Sequence, residues 1–170
     1  MYTTSCCSGR IAIVNQPGMA QVQKEGLEWI HMTHQKISDE TEIVEIREKI
    51  KNRINDANDE SSTIIFKFEG AIAHFCVENL KLAKQLFDTS RLAGFRNSGI
   101  SIGSNAKFTV QIRGTNSIEV PLSAGNKFLI NDDYFKYLVE TANEKFEKNL
   151  KCIQKLENLF RKELLVTSSS

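Results

Sequence analysis

TIIFKFEGAIAHFCV, residues 63–77, sets the architecture. Ile64, Phe66 and Phe68 alternate with Lys67 and Glu69 in its first half, so one side of a strand is apolar and the other charged. Gly70 then permits a bulge or bend before the apolar run continues through His74. Upstream, GRIAIVN (9–15) and GLEWIHMTH (26–34) predict two short strands, carrying Ile11, Ile13 and Val14, then Leu27, Trp29 and Ile30. The turn-forming NQPG (15–18) separates them. From Asp39, an N-cap, Ile43, Ile46, Ile50 and Ile54 fall on one helical stripe, and the polar run NDANDESS (55–62) closes that helix.

Downstream, Asn79 caps a second helix with Leu80, Ala83 and Phe87 on one stripe, and Gly94 stands where a positive-φ C-cap residue is wanted. SGISIG, KFTVQIRG and SIEVPL then predict a three-strand meander. In that meander Ile112 pairs with Val120 and Val110 with Leu122, which sets Arg113 opposite Glu119. Asn131 caps a last helix over about 132–165, with Asp132 and Asp133 in its first turn, and its end is expected to bend or project. The segment 166–170 is expected to be a disordered tail. The order of elements predicts one α+β domain over residues 1–165, built as two similar β-rich halves on a curved, mostly antiparallel sheet with flanking helices.

A chain of 170 residues, 41% hydrophobic and 25% charged, supports one real core. No apolar run reaches the roughly 20 residues of a membrane helix, and the N-terminus lacks a secretory leader's apolar stretch, so the expected compartment is the cytosol. Cys6, Cys7, Cys76 and Cys152 form neither a disulfide framework nor a zinc spacing, and no metal is expected. The net charge of +1 is unevenly spread: residues 63–131 hold eight Lys and Arg against four Asp and Glu. That local excess suits a phosphate backbone, although charge clusters are more often solvated faces.

The glycines at 94, 99 and 103 follow a helix and enter strands, the reverse of a Rossmann dinucleotide turn. No phosphate loop, nucleophile elbow or zinc-protease motif is present. What remains is polar residues at strand ends: Ser5, Ser8, Arg10, His34, Glu69, His74, Arg96, Asn97, Ser98 and Glu119. Each has a structural alternative. His74, amid apolar residues, reads more readily as a hydrogen-bonded core residue than as a base, Glu119 as a partner of Arg113, and Gly94 as a cap. Cys7 is a nucleophile only beside a base.

Taken together, TTSCCSGRI (3–11), the MTH ending at His34, KFE followed by His74, GFRNSGIS (94–101), IEVPL (118–122) and ANEKFEKN (142–149) resemble, in order and spacing, the tRNA wybutosine-synthesizing protein 3 family. The resemblance covers nearly the whole chain. It implies a non-Rossmann α+β fold of two similar halves around a barrel-like sheet. It also implies an S-adenosyl-L-methionine-dependent methyltransferase acting on N4 of the aminocarboxypropyl-bearing, wyosine-type guanosine at position 37 of phenylalanine tRNA. Two departures stand out. The chain begins only two residues before TTSCCSGRI, where family members carry helical sequence, and Gly70–Ala71 replaces a common Pro-Phe. On this reading Ser5, Ser8, Arg10, Arg96, Asn97 and Ser98 hold the carboxylate, ribose or phosphate groups of cofactor and tRNA. His74, with Glu69 or Glu119, removes a proton or orients the acceptor. Contact with other enzymes of the pathway is a further expectation. A non-catalytic tRNA-binding or assembly module on the same scaffold is the alternative.

Overall fold

The computed structural model describes residues 1–16, 27–55, 61–103 and 107–167, with the side chains of 163–167 excepted. The tip of the NQPG turn, most of NDANDESS and Ser168–Ser170 lie outside the described residues. In chain order the elements are β1 (Tyr2–Cys7), β2 (Arg10–Gln16), β3 (Glu28–Thr33), α1 (Glu40–Asn55), β4 (Thr63–Glu69), β5 (Ile72–Val77) and α2 (Leu80–Ala93). There follow β6 (Gly99–Ile102), β7 (Phe108–Arg113), β8 (Ser117–Pro121), β9 (Ser123–Ala124), β10 (Lys127–Phe128) and α3 (Asp132–Thr167). No described helix is long and apolar enough to cross a membrane.

Two compact units share these elements. The first comprises residues 1–9, 70–116 and 147–170, and the second 10–69 and 117–146. Each has a four-stranded antiparallel sheet, ordered β1-β5-β7-β6 in the first and β3-β2-β4-β8 in the second. β1, which the sequence reading did not assign as a strand, is an edge of the first sheet.

In the second unit the expected face of β4 is the core. Ile64, Phe66 and Phe68 are buried with Ile11, Ile13, and Ile46, Ile50 and Ile54 of α1. Phe66 meets Phe135 edge-on with centroids 6.2 Å apart, and Phe68 meets Phe146 at 6.0 Å. The caps are where the sequence puts them: Asp39 accepts from the Thr41 amide, and Asn131 accepts from that of Tyr134.

The first unit buries Ala83, Leu86 and Ala93 of α2 against Val110 and Ile112 of β7. Asn79 caps α2 through the Leu82 amide, and Gly94 ends it at φ 114°. Leu80, expected on the buried stripe, is 54% exposed, because the stripe runs through Ala83, Leu86 and Ser90 instead. Leu156, Leu159 and Phe160 of α3 pack on this core, so the helix does not project at that point. α3 continues through Val166 and Thr167.

The meander is corrected in one place. β6 and β7 pair as expected, but β8 pairs with β4: Val120 stands across from Phe66 and Glu119 across from Lys67. Ile112 pairs with Ala73 and Val110 with Phe75. The reason is burial. Ile118, Val120 and Leu122 fill the core beneath Phe66 and Phe68, and the Leu122 amide bonds the Ile64 carbonyl at 2.7 Å. Either partner would satisfy alternation, and only the core volume selects β4.

Candidate functional site

In the first unit Ser5 and His74 are cross-strand partners on β1 and β5, beside an irregularity between Thr3 and Ser5. Ser5 Oγ lies 3.1 Å from His74 Nδ1, and Thr4 Oγ1 donates to the His74 carbonyl at 3.3 Å. His74 Nε2 is buried and has no hydrogen-bond partner among the described residues. The imidazole is thus held at one nitrogen and free at the other. If Nδ1–H donates to Ser5, Nε2 carries the lone pair, which is the tautomer of a base. Gln111 stands across from His74 on β7, with Nε2 3.5 Å from Ser101 Oγ. The sequence reading did not single it out, although alternation in KFTVQIRG already opposes Gln111 and Arg113 to Val110 and Ile112.

The GFRNSGIS loop divides into turn and free groups. Phe95 is buried, and its carbonyl accepts from Ser98 Oγ at 2.7 Å. Ser98 Oγ also accepts the Arg113 amide at 3.2 Å, so this hydroxyl braces the turn. A side chain at position 94 would meet Cys152 Sγ at 2.9 Å and a positive φ, so the loop starts from glycine. Arg96 and Asn97 are exposed, and their side chains make no hydrogen bond or ion pair among the described residues.

Beside the loop is a cavity of about 420 Å³, lined by Cys6, Cys7, Ser8, Ala71, Phe95 and Leu156 among others. Its walls are apolar except along the 6–8 segment. Asn149, 3% exposed, ties that segment down: it donates to the Ser8 carbonyl at 2.6 Å and accepts the Ala71 amide at 2.7 Å. Gly70 sits in close approach: an added Cβ would meet the Asn116 carbonyl oxygen at 3.0 Å. Ala71 leaves open a volume that a larger side chain would fill.

The remaining candidates lie in the second unit. Arg10 and Glu69 are cross-strand partners joined by Nε and Oε2 at 2.5 Å. The Arg10 guanidinium carbon sits 4.8 Å from the centroid of the Trp29 ring. Glu119 pairs with Lys67 at 3.3 Å rather than with Arg113. His34 is exposed just beyond β3. Each of the two carboxylates therefore engages a cation of its own sheet, whereas the His74 ring engages Ser5.

The family model described as Methyltransferase TYW3 matches residues 1–162. A tRNA wybutosine-synthesizing protein 3 homolog of Danio rerio is 36% identical, over 91% of this chain and 57% of its own length. A Pyrococcus abyssi protein, named as a tRNA(Phe) 7-((3-amino-3-carboxypropyl)-4-demethylwyosine(37)-N(4))-methyltransferase, is 30% identical over 95% of this chain and 72% of its own. A solved structure of a Pyrococcus horikoshii protein superposes with a TM-score of 0.78 at 27% identity, covering 92% of this chain and 75% of that one. The chain spans about six tenths of the length of the first curated relatives it matches.

Proposed function

The chain belongs to the Methyltransferase TYW3 family, and from that premise we propose that it transfers a methyl group from S-adenosyl-L-methionine to N4 of the wyosine-type guanosine at position 37 of phenylalanine tRNA. The observation that carries this is the match over residues 1–162 together with the activity in the name of the Pyrococcus abyssi relative. The local geometry supports it with a histidine anchored at Nδ1 whose buried Nε2 has no hydrogen-bond partner among the described residues. A tRNA-modifying role fits the cytoplasm.

One observation supports a cofactor carboxylate at the 94–101 loop. Arg96 offers a guanidinium with no partner among the described residues, the group suited to a carboxylate. Asn97 and Ser8 add donors, and Ser98, whose hydroxyl braces the loop, keeps one acceptor lone pair. When bound, the cofactor supplies an electrophilic methyl on a sulfonium. The protein's task is then to align the acceptor nitrogen in line with that methyl and to take its proton. We assign proton acceptance to His74 Nε2, with Ser5 holding the ring's tautomer. Arg10, braced by Glu69, and Lys67, braced by Glu119, are assigned to the anionic groups of the tRNA, which makes both carboxylates positioning residues.

The decisive experiment incubates the full chain with S-adenosyl-L-methionine and tRNA bearing the unmethylated nucleoside, then digests the tRNA for mass spectrometry. A gain of one methyl group on that nucleoside is expected. Bound tRNA with an unchanged nucleoside would point to the non-catalytic module instead.

A further inference from the structure

Along β3 the alternation of side chains breaks once. Ile13 stands across from His31 and Val14 across from Trp29, so Ile30 is the extra residue of a bulge. Strict alternation would put Trp29 on the His31 side of the sheet and Ile30 on the other. With the bulge, Ile30 packs on the core instead, and Trp29 emerges on the face of Arg10, Ala12 and Val14. There it is 47% exposed, as is Met32 across from Ala12. The bulge thus re-aims the largest aromatic group of the strand out of the core and toward Arg10.

What stands beside the indole is specific. The Arg10 guanidinium lies over the ring at 4.8 Å and is locked by its Nε bond to Glu69. Its Nη groups make no hydrogen bond among the described residues. A half-exposed indole, a cation fixed over its ring and unspent N–H donors together match a flat heteroaromatic ring carrying a nearby anion. We propose that Trp29 is a stacking platform for a nucleobase of the tRNA, with Arg10 donating to the adjoining phosphate. This rests on the tRNA reading above. The pairing of ring and phosphate favours a nucleotide over the adenosine of S-adenosyl-L-methionine, which bears no phosphate.

Trp29 is the sole tryptophan of the chain, so its fluorescence reports the platform directly. Titrating the 170-residue chain with the unmethylated tRNA should quench the emission saturably, and S-adenosylhomocysteine should not. Trp29→Ala should weaken tRNA binding about five- to a hundredfold at fixed salt, and Trp29→Phe much less. Cofactor binding and melting temperature should stay unchanged. Absence of quenching by tRNA overturns the proposal without any variant. So does quenching by S-adenosylhomocysteine alone, or a Trp29→Ala affinity within about a factor of two of wild type. Wild-type methylation with an unaltered Trp29→Ala affinity removes only the platform; a wild type that neither binds nor methylates tRNA removes the functional reading as well.

Discussion

His74 Nε2 is a buried polar atom without a partner among the described residues, a state that costs about 1 to 3 kcal/mol and that a bound methyl-acceptor group would relieve. His74→Ala should lower the methyl-transfer rate constant about 10²- to 10⁴-fold with tRNA affinity little changed, as single-turnover kinetics would show. Ser5→Ala should lose less, because the ring stays and only its orientation loosens. Arg96 belongs to the same scale. Its side chain supports neither helix cap nor strand, so Arg96→Ala should leave stability within about 0.5 kcal/mol. Ligand affinity should fall about tenfold to a hundredfold if the guanidinium holds a carboxylate or phosphate, with Arg96→Lys recovering part. Calorimetry with cofactor and with tRNA reads both. His31 gives a pH dependence: burial, outweighing the raising effect of Glu42, holds its pKa below the ordinary 6.5. The unfolded chain then takes up a proton near 6.5 that the folded one refuses, so stability is full above that value and falls as pH drops toward the folded pKa. Melting temperatures between about pH 7.5 and 5.5 should decline in wild type and flatten in His31→Gln.

At the scale of elements, α3 serves both units through two asparagines of ANEKFEKN. Asn143 clamps the backbone of Ile37, accepting its N–H at 3.0 Å and donating to its carbonyl at 2.7 Å. Asn149 does the corresponding work at Ser8 and Ala71. Both bind irregular backbone that no sheet ladder satisfies, so the motif is structural latching on a helix face. Asn149→Ala strips one buried and one part-buried bond and should cost about 2 to 4 kcal/mol, whereas the exposed neighbour change Lys148→Ala should stay within about 0.5 kcal/mol. Chemical denaturation of the two variants makes the comparison. Asn149→Ala should also loosen the 6–8 wall of the cavity, raising protease sensitivity there.

For the whole molecule, the charge distribution sets the expectation. Residues 63–131 carry eight Lys and Arg against four Asp and Glu, and Arg96 is one of their unpaired cations. Binding of tRNA should therefore weaken steeply as salt rises, linearly in the logarithms of affinity and salt concentration. Arg96→Ala should reduce that slope by about one if the residue meets a phosphate, and leave it unaltered if it meets the cofactor. Affinities measured across a salt series separate the two roles.

Local signals carried the sequence a long way. The caps at Asp39, Asn79, Gly94 and Asn131, the buried face of Ile64, Phe66 and Phe68, and the isoleucine stripe of α1 all follow from bonds and periodicities spanning a few residues, which a sequence displays directly. The motif set likewise placed the chain in its family. Pairing was another matter. Alternation in SIEVPL fits β7 and β4 equally, and only the volume beneath Phe66 and Phe68 assigns β8 to β4, which in turn gives Glu119 to Lys67. No residue spacing marks Ile30 as a bulge or brings Trp29 beneath Arg10. Partners distant in the chain meet because two cores close, and the energy that chooses them is burial summed over many residues rather than the preference of any one.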